Sequence, residues 1–235
     1  MAARLRDLGC PGEKIRVVKM GIDSDRIRPR RNEAADDAVN VLFVGLSREK
    51  KGPLDAVAAF VEAAREHPAL FLHLVGDGPY RSRAASALSN AGLTHRACFH
   101  GMMGYDKFLE LLSRSDILLA PSVSALDGDT EGGAPVSVIE ALAAAVPVVA
   151  TTHCDIPNIV ADGESGLLCK EHDIATLATH LVKLAGNPDL RASMGRAGRL
   201  YAVNEHDIRR QAAKLRAIYD EVLIRHHPEA GGLRA

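Results

Sequence analysis

Two acidic residues bracket a glycine-rich stretch in DTEGGAPVSVIEAL, residues 129–142. Glu131 precedes two adjacent glycines, and Glu140 lies inside an apolar, alanine-rich run of helical period. Carboxylates accept hydrogen bonds from vicinal hydroxyls, which a ribose or a hexose offers. The amides at a helix N-terminus can bind an anion, because they lack partners within the helix and the helix dipole is positive there. The stretch therefore predicts a diphosphate site flanked by two sugar-binding acids.

Pro135 is predicted as the first residue of this helix. The residues expected to line the diphosphate are Gly133, Ala134, Pro135, Val136 and Ser137. Taken alone, the same stretch also fits a surface helix in which Glu131 interacts with the helix dipole and Glu140 is a solvated acid.

A basic loop after another strand pattern offers the complementary charge. VLFVG is followed by LSREKKG, so Gly45, Arg48 and Lys51 come just before a helical run. Glycine allows a tight turn, and basic side chains beside a helix N-terminus suit a phosphate or pyrophosphate. The loop lacks the G-x-x-x-x-G-K-[ST] pattern of a P-loop, and alone it also fits a solvated basic turn.

Two further glycine-containing turns follow strand patterns. In HGMMG, residues 100–104, Gly101 permits close backbone approach and Met102 can present its main chain to a flat ring. A buried turn with methionine as filler fits equally well. GDGP, residues 76–79, indicates a turn and lacks the third glycine of G-x-G-x-x-G, which disfavours an NAD-binding domain.

Strand and helix patterns alternate along the chain. Strands are predicted for IRVVKM, VNVLFVG, FLHLVG, ACFHG, DILLAPS, VPVVAT and GLLC. Helices are predicted at residues 54–67 and 81–92, from Tyr105, from Pro135, and at 173–185, 188–201 and 207–225. Repeated strand–helix–strand units require parallel pairing. The fold class is therefore α/β, a doubly wound, mostly parallel Rossmann-like sheet with a C-terminal helical tail, and ligands are expected at the carboxyl ends of its strands.

Composition narrows the class of partner. The 235 residues are 47% apolar and 25% charged, with a formal net charge of −1, which gives no basic field for nucleic acid. No leader or apolar run of about 18 residues is present, and four cysteines without a C-x-x-C pair suggest reduced thiols, so a cytoplasmic location is expected. No cofactor is expected. Neither the D-G-D of Asp127 and Asp129 nor the pair His153 and Cys154 shows a convergent ligand set, so no metal is predicted.

The order of these motifs resembles the C-terminal, donor-binding domain of retaining GT-B glycosyltransferases of family 4, of the exopolysaccharide or colanic-acid type. The resemblance covers nearly the whole chain and rests on KMGIDSDRIRP, FVGLSREKKG, LVGDGP, FHGMM, LLAPSV, the two-acid motif and VPVVATTHCDIPNIVADGESGLL. Each piece is weak alone, and their shared order is specific.

The resemblance implies a role for each part of the motif. The first acid, Glu131, would contact the donor sugar, and the second acid, Glu140, the ribose hydroxyls. The amides between Gly133 and Ser137 would contact the diphosphate. Arg48 and Lys51 would neutralise the pyrophosphate as it leaves. The expected activity is transfer of a hexose from a UDP- or GDP-sugar to a glycan or lipid-linked acceptor.

The chain departs from the family pattern in three ways. Eight residues separate Glu131 from Glu140, where the family usually has seven. Leu46 stands where the family arginine follows the strand-ending glycine. The N-terminal acceptor-binding domain is absent, so residues 1–27 are interpreted as a residual interdomain connection, 28–204 as the donor-binding domain, and 205–235 as a C-terminal helix and frayed tail. Peripheral membrane association is expected only through the absent domain.

Two alternatives remain open at this point. One is a non-catalytic nucleotide-sugar-binding fragment that lacks its acceptor domain. The other is a nucleotide-sugar epimerase of GT-B fold, whose hallmark acids do not match this loop. Assays of the isolated chain with and without an acceptor domain separate the first alternative from a transferase, and product analysis separates the second.

Overall fold

One six-stranded sheet forms the centre of the molecule. The computed structural model describes residues 2–30 and 38–226. The strands are β1 (Val39–Val44), β2 (Leu70–Val75), β3 (Ala97–Gly101), β4 (Ile117–Ala120), β5 (Val148–Thr151) and β6 (Gly166–Cys169). Their order across the sheet is β3-β2-β1-β4-β5-β6, and every pairing is parallel. This confirms the doubly wound α/β class, and it places the topological switch point between β1 and β4.

Helices cover both faces of the sheet. The described helices are α1 (Ala2–Asp7), α2 (Pro53–Glu66), α3 (Arg81–Asn90), α4 (Tyr105–Ser113), α5 (Val136–Ala143), α6 (Ile174–Ala185), α7 (Pro188–His206) and α8 (Ile208–His226). The short helix α1 buries no residue and does not belong to these covering layers. In α2, Pro53 starts the first turn, and apolar side chains recur at Ala56, Phe60 and Ala63, which are fully buried. This spacing puts them on one face of the helix. The predicted helices are confirmed, and α7 continues to His206, beyond its predicted end.

Alternate strand residues feed two hydrophobic cores. Val41 and Phe43 of β1 point to the core formed with α2, α3 and α6, and Leu42 points to the core formed with α4, α5 and α7. A β-carbon at Gly198 of α7 would lie 2.8 Å from Leu142 Cδ2 of α5. The glycine therefore lets α7 press closely on α5, which fixes the helix that carries Glu140.

The predicted strand IRVVKM is wrong. Residues 15–20 are extended but join no strand ladder. The Lys19 amide instead donates to Gln211 Oε1 of α8, and Ile22 forms an isolated parallel bridge with Asp207. A β-branched run indicates extended backbone, but its pairing depends on which strand edge it meets.

The segment after this run packs against the sheet. Ile22 and Ile27 are buried in the core beside α4, α5 and α7. Residues 31–37 and 227–235 lie outside the described part of the chain, and with them the predicted frayed tail. Among the described helices, none is long and apolar enough to cross a bilayer.

Candidate functional site

An ion pair spans the crevice at the switch point. Lys51, in the loop after β1, places Nζ 2.8 Å from Glu131 Oε2, in the loop after β4. Ser122, just past β4, donates its hydroxyl to Glu131 Oε1 at 2.8 Å. The Glu131 side chain is only 7% exposed. Because the two strands are neighbours and parallel, their loops meet at the same edge of the sheet. The additional residue between the acids therefore does not keep Glu131 from the crevice.

Glycines in the first loop make room for this contact. A β-carbon at Gly45 would lie 3.0 Å from Lys51 Cδ, so the bare backbone there accommodates the lysine stem. Gly52 has φ 63° and packs its α-carbon against the Pro121 carbonyl, where any side chain would clash. The backbone conformation and the close approach both require glycine. The loops after β1 and β4 are thereby held together before any side chain is considered.

Lys50 ties down the loop that carries the first acid. Its Nζ contacts Asp129 Oδ1 at 3.0 Å and the Thr130 carbonyl at 3.1 Å. Asp127 Oδ1 accepts the Asp129 amide at 2.9 Å, so the D-G-D segment closes on itself. The two aspartates are therefore used in a turn and an ion pair.

Arg48 lies in the same loop as Lys50 and Lys51, and its side chain is exposed to solvent. It is exposed and forms no side-chain hydrogen bond or ion pair with the described residues. Leu46 is 46% exposed. Arg48 is thus a free cation near the crevice, and its predicted contact with a diphosphate stays a prediction.

The N-terminus of α5 leaves a row of amides free. The Pro135 carbonyl accepts the amides of Val138 and Ile139. By contrast, the amides of Gly133, Ala134, Val136 and Ser137 donate to no other described residue. These four N–H groups lie where the helix dipole is positive, which is the arrangement of an anion site.

Pro135 differs from its predicted position. It has φ −61° and ψ 132°, so it is the extended N-cap residue, and Val136 is the first helical residue. The prediction of Pro135 as the first helical position is wrong by one residue. Proline fixes φ but leaves ψ free to be extended, which ends the incoming loop at this point. The Val136 amide is unpaired in either position, because the N–H groups of the first helical turn have no partner within the helix.

Glu140 is a buried acid with one fixed partner. It is 6% exposed, and Tyr105, at the start of α4, donates its hydroxyl to Glu140 Oε1 at 2.8 Å. Burial raises the pKa of Glu140, and the Tyr105 hydrogen bond acts in the opposite direction. The interpretation of Glu140 as a solvated surface acid is wrong, because α5 lies between the sheet and α7.

His153, which follows β5, forms a hydrogen bond with the backbone of the first acid, Glu131. Its Nε2 is 3.2 Å from the Glu131 amide, and its Nδ1 is 2.7 Å from Glu171 Oε1. The amide can only donate, so Nε2 accepts and Nδ1 carries the proton toward the carboxylate. Burial opposes ionisation of Glu171, but hydrogen bonds from the Ser124 amide and from His153 outweigh it and lower its pKa.

The loop after β3 lies at the same edge of the sheet. Gly101 has φ 65° and its carbonyl accepts the Gly76 amide at 2.8 Å. Met102 is 69% exposed, so the interpretation of a buried turn with methionine as filler is wrong. Met102 is therefore accessible to a ligand at this edge of the sheet. In the described ranges, no group of three or more histidine, cysteine, aspartate or glutamate side chains is arranged to hold a metal ion.

Comparison with known proteins identifies the family. The model for glycosyl transferases group 1 matches residues 24–201. The chain belongs to this family. The match covers the sheet, both acids and the basic loop, and it bears out the resemblance drawn from the motifs.

Two curated relatives are named for the biosynthesis of colanic acid and of amylovoran. The chain is 33% identical over 218 residues to the putative colanic acid biosynthesis glycosyltransferase WcaL of Salmonella typhimurium, covering 91% of this chain and 53% of that protein. It is 31% identical over 215 residues to the amylovoran biosynthesis glycosyltransferase AmsK of Erwinia amylovora, covering 90% of this chain and 53% of that protein. The chain thus spans about half the length of the curated relatives it matches.

A solved structure shows the same fold. Anabaena HepE, crystallised in complex with UDP-glucose, superposes with a TM-score of 0.79 at 19% identity, over 94% of this chain and 61% of that one. At this identity the likeness concerns the fold.

Four residues of this family member's candidate site carry contacts that the sequence did not reveal. They are Lys50, Tyr105, Ser122 and His153. Each lies just past the carboxyl end of a strand, which is the signal that could have found them. Their partners are distant in sequence: Tyr105 and Glu140 are 35 residues apart. A spacing pattern cannot detect such a contact.

Proposed function

We propose that this chain is the donor-binding domain of a retaining glycosyltransferase that transfers a hexose from a UDP- or GDP-sugar to a glycan or lipid-linked acceptor. The observation that carries the proposal is the row of unpaired amides at the start of α5, beside the Lys51–Glu131 pair. Family membership supports the reaction class, and the names of WcaL and AmsK support an exopolysaccharide product.

The diphosphate binds at the N-terminus of α5. The amides of Gly133, Ala134, Val136 and Ser137 donate to its oxygens, while Pro135 holds the turn that aims them. Lys51 supplies a positive charge across the crevice, and Arg48 adds a second one from solvent. Gly45 leaves space for the lysine stem. A site of several donors and cations suits a group with two or three negative charges.

Lys51 and Glu131 exchange partners when the donor binds. In the structure, Lys51 Nζ and Glu131 Oε2 lie 2.8 Å apart, and each neutralises the other. An arriving diphosphate is a stronger partner for Lys51, which releases Glu131 Oε2 to accept a hydroxyl of the donor hexose. Ser122 and His153 keep Glu131 in place during the exchange. Binding of the diphosphate thus prepares the acid that reads the sugar.

The nucleoside lies between two segments, the loop after β3 and the first turns of α5. Glu140 accepts ribose hydroxyls, since its Oε2 has no hydrogen bond from a described residue. The base lies against Gly101 and Met102, in the loop after β3. HepE holds a UDP-sugar, which favours uracil without deciding between UDP and GDP for this chain.

Transfer breaks the bond between the anomeric carbon and the diphosphate oxygen. The acceptor oxygen forms the new bond on the same face of the sugar, and its proton passes to the departing diphosphate. Negative charge grows on that diphosphate as it leaves, and Lys51, Arg48 and the α5 amides stabilise it. The acceptor hydroxyl is held by a second, N-terminal domain, which also provides any peripheral contact with a membrane. In this division of labour, residues 1–27 connect the two domains, 28–204 bind the donor, and 205–235 form the closing helix and tail.

The experiment removes one amide N–H from the start of α5 and controls separately for the loss of the side chain. Val136 is the first residue of α5, its N–H is unpaired, and proline is well tolerated at that helix position. Val136→Pro deletes a single donor, and the matched variant Val136→Ala trims the side chain while keeping the N–H. Loss of one hydrogen bond to a charged group is expected to weaken UDP or GDP binding by about tenfold to a hundredfold in the proline variant.

Titration calorimetry, with melting temperatures to verify folding, distinguishes the outcomes. The alanine variant is expected to bind within about twofold of the parent chain, since it retains every polar group. Equal binding by the proline and alanine variants at equal stability would exclude the α5 amides from the diphosphate site.

A further inference from the structure

Only one of the two carboxylate oxygens of Glu140 accepts a hydrogen bond from a described residue. Tyr105 donates to Oε1 at 2.8 Å, and Oε2 accepts from no described residue. A carboxylate held at one oxygen has little freedom to rotate, so the direction of its other oxygen is set by the same contact. The hydroxyl of Tyr105 therefore controls where Glu140 can accept a hydrogen bond.

The ring that carries this hydroxyl is itself held. Arg26 lies over the Tyr105 ring, with Cζ 5.1 Å from the ring centroid, and the Phe108 ring centroid is 6.0 Å away. Arg26 in turn contacts Asp106 Oδ1 at 2.5 Å. Cation–π and aromatic contacts of this kind favour one ring orientation. Tyr105 is thus fixed from two sides before any ligand arrives.

The chemistry of the pair favours donation in one direction. Burial, followed by the hydrogen bond to Glu140, raises the pKa of Tyr105 to about 12. The hydroxyl therefore stays protonated near neutral pH and can only donate to an ionised carboxylate. The charged groups around the ring, Arg26 and Asp23, act on its pKa in opposite directions.

We propose that Tyr105 is a positioning residue of the donor site, which orients the Glu140 carboxylate so that Oε2 accepts the ribose hydroxyls of the nucleotide. This inference rests on the proposed function. Tyr105 acts through Glu140 and does not itself contact the donor. Its hydrogen bond links α4, which follows the loop proposed to contact the base, to α5, which carries Glu140.

The test compares a nucleotide with a ligand that lacks the ribose. Tyr105→Phe removes the hydroxyl and keeps the ring for Arg26 and Phe108. Calorimetry first measures the affinity of the parent chain for UDP, GDP and ADP, and the nucleotide that binds most tightly is chosen. The affinities of each variant for this nucleotide and for inorganic pyrophosphate are then measured. Because a preorganised acceptor is lost, the variant is expected to bind the nucleotide about fivefold to tenfold more weakly and pyrophosphate within about twofold of the parent chain. The control is Tyr219→Phe, a 61% exposed tyrosine on α8, which should change neither.

A double-mutant cycle shows whether the effect passes through Glu140. In a Glu140→Ala background, Tyr105→Phe is expected to cause no further loss of nucleotide affinity, since the acid it orients is gone. Glu140→Gln replaces the alanine variant if that variant melts early. Additive losses would show that Tyr105 contacts the nucleotide directly, which overturns the inference.

The remaining outcomes separate the two proposals. If the parent chain binds a nucleotide and Tyr105→Phe binds it equally well, the positioning role is wrong and the proposed function stands. An equal loss for nucleotide and pyrophosphate would mean that the hydroxyl supports the fold of the site, which also overturns the inference. If the parent chain binds none of the three nucleotides, the proposed function fails and the inference fails with it.

Discussion

Glu140 is an acid placed where an apolar residue would pack well. Its neighbours on α5, Ile139 and Ala141, are fully buried in the core beside α4 and α7. Burial raises the pKa of Glu140, which means that the fold disfavours its ionised form. A residue that is kept at a cost in stability is a candidate for function.

This cost predicts how stability changes with pH. Because the folded pKa of Glu140 lies above its ordinary value, the folded state holds the proton more tightly than the unfolded chain does. The stabilising contribution is fully present below the unfolded pKa, 4.5, and is lost as pH rises through the folded pKa. Glu140→Gln cannot ionise and therefore should melt at or above the parent chain at neutral pH, while binding nucleotide more weakly.

Melting curves and nucleotide titrations across this range check both halves of the prediction. The difference in melting temperature between the two proteins should shrink as pH falls toward 4.5. A glutamine variant that is less stable at neutral pH would show that the ionised carboxylate stabilises the fold, contrary to its burial.

At the scale of elements, the loop after β4 is held by side chains from the loop after β1. Lys50 contacts Asp129 and the Thr130 carbonyl, and Lys51 contacts Glu131. The Lys50 contacts involve partly exposed groups, and such pairs contribute little to global stability, about 0–1 kcal/mol. Their effect is expected on the local order of the loop.

Lys50→Met should therefore loosen this loop without unfolding the domain. Hydrogen exchange over residues 124–134 is expected to accelerate, while the melting temperature changes by no more than a few degrees. The matched control is Arg216→Met, which breaks an exposed pair with Asp220 in α8 and should leave exchange in the loop unchanged. Unchanged exchange in the Lys50 variant would contradict this prediction and would mean that the other contacts of the loop order it without Lys50.

Local patterns predicted most elements and few contacts. The strands β1 to β6 and the helix at Tyr105 follow from apolar runs and helical period, which are properties of neighbouring residues. IRVVKM is a β-branched, apolar run like β1, but it contacts α8 instead of a strand edge, through the hydrogen bond from the Lys19 amide to Gln211. The contact of Tyr105 with Glu140 joins two elements across the crevice, so no window of sequence contains it. Donor-site residues were placed by their positions at strand ends, and their partners came from the tertiary structure.

At the scale of the whole molecule, the chain contains the sheet edge at which we propose donor binding, and it spans about half the length of the curated relatives it matches. The helix α8 exposes an apolar stripe, which consists of Ile208, Leu215, Tyr219 and Val222. Acceptor positioning and exclusion of water contribute several kcal/mol to lowering a transfer barrier. In the proposed function these tasks belong to a second domain.

The chain is therefore expected to bind donor and to transfer sugar very slowly or not at all. The assay supplies radiolabelled UDP- and GDP-hexoses with a panel of lipid-linked acceptors, and it follows transfer to acceptor and hydrolysis separately. A chimaera that joins the N-terminal half of WcaL to this chain is the comparison, and it should gain activity if this chain supplies a working donor site. Robust turnover by the chain alone would contradict the interpretation of residues 1–27 as an interdomain connection.

The central claim is that this sheet edge binds a nucleoside diphosphate through amides and basic side chains. Titration calorimetry of the chain with UDP, GDP and ADP, each in the presence of EDTA, tests it most directly. We predict saturable binding of at least one of them, weaker binding of the matching monophosphate because the α5 amides lose a phosphate, and no change when EDTA is omitted. Failure to bind any of the three, or binding that EDTA abolishes, would contradict the claim.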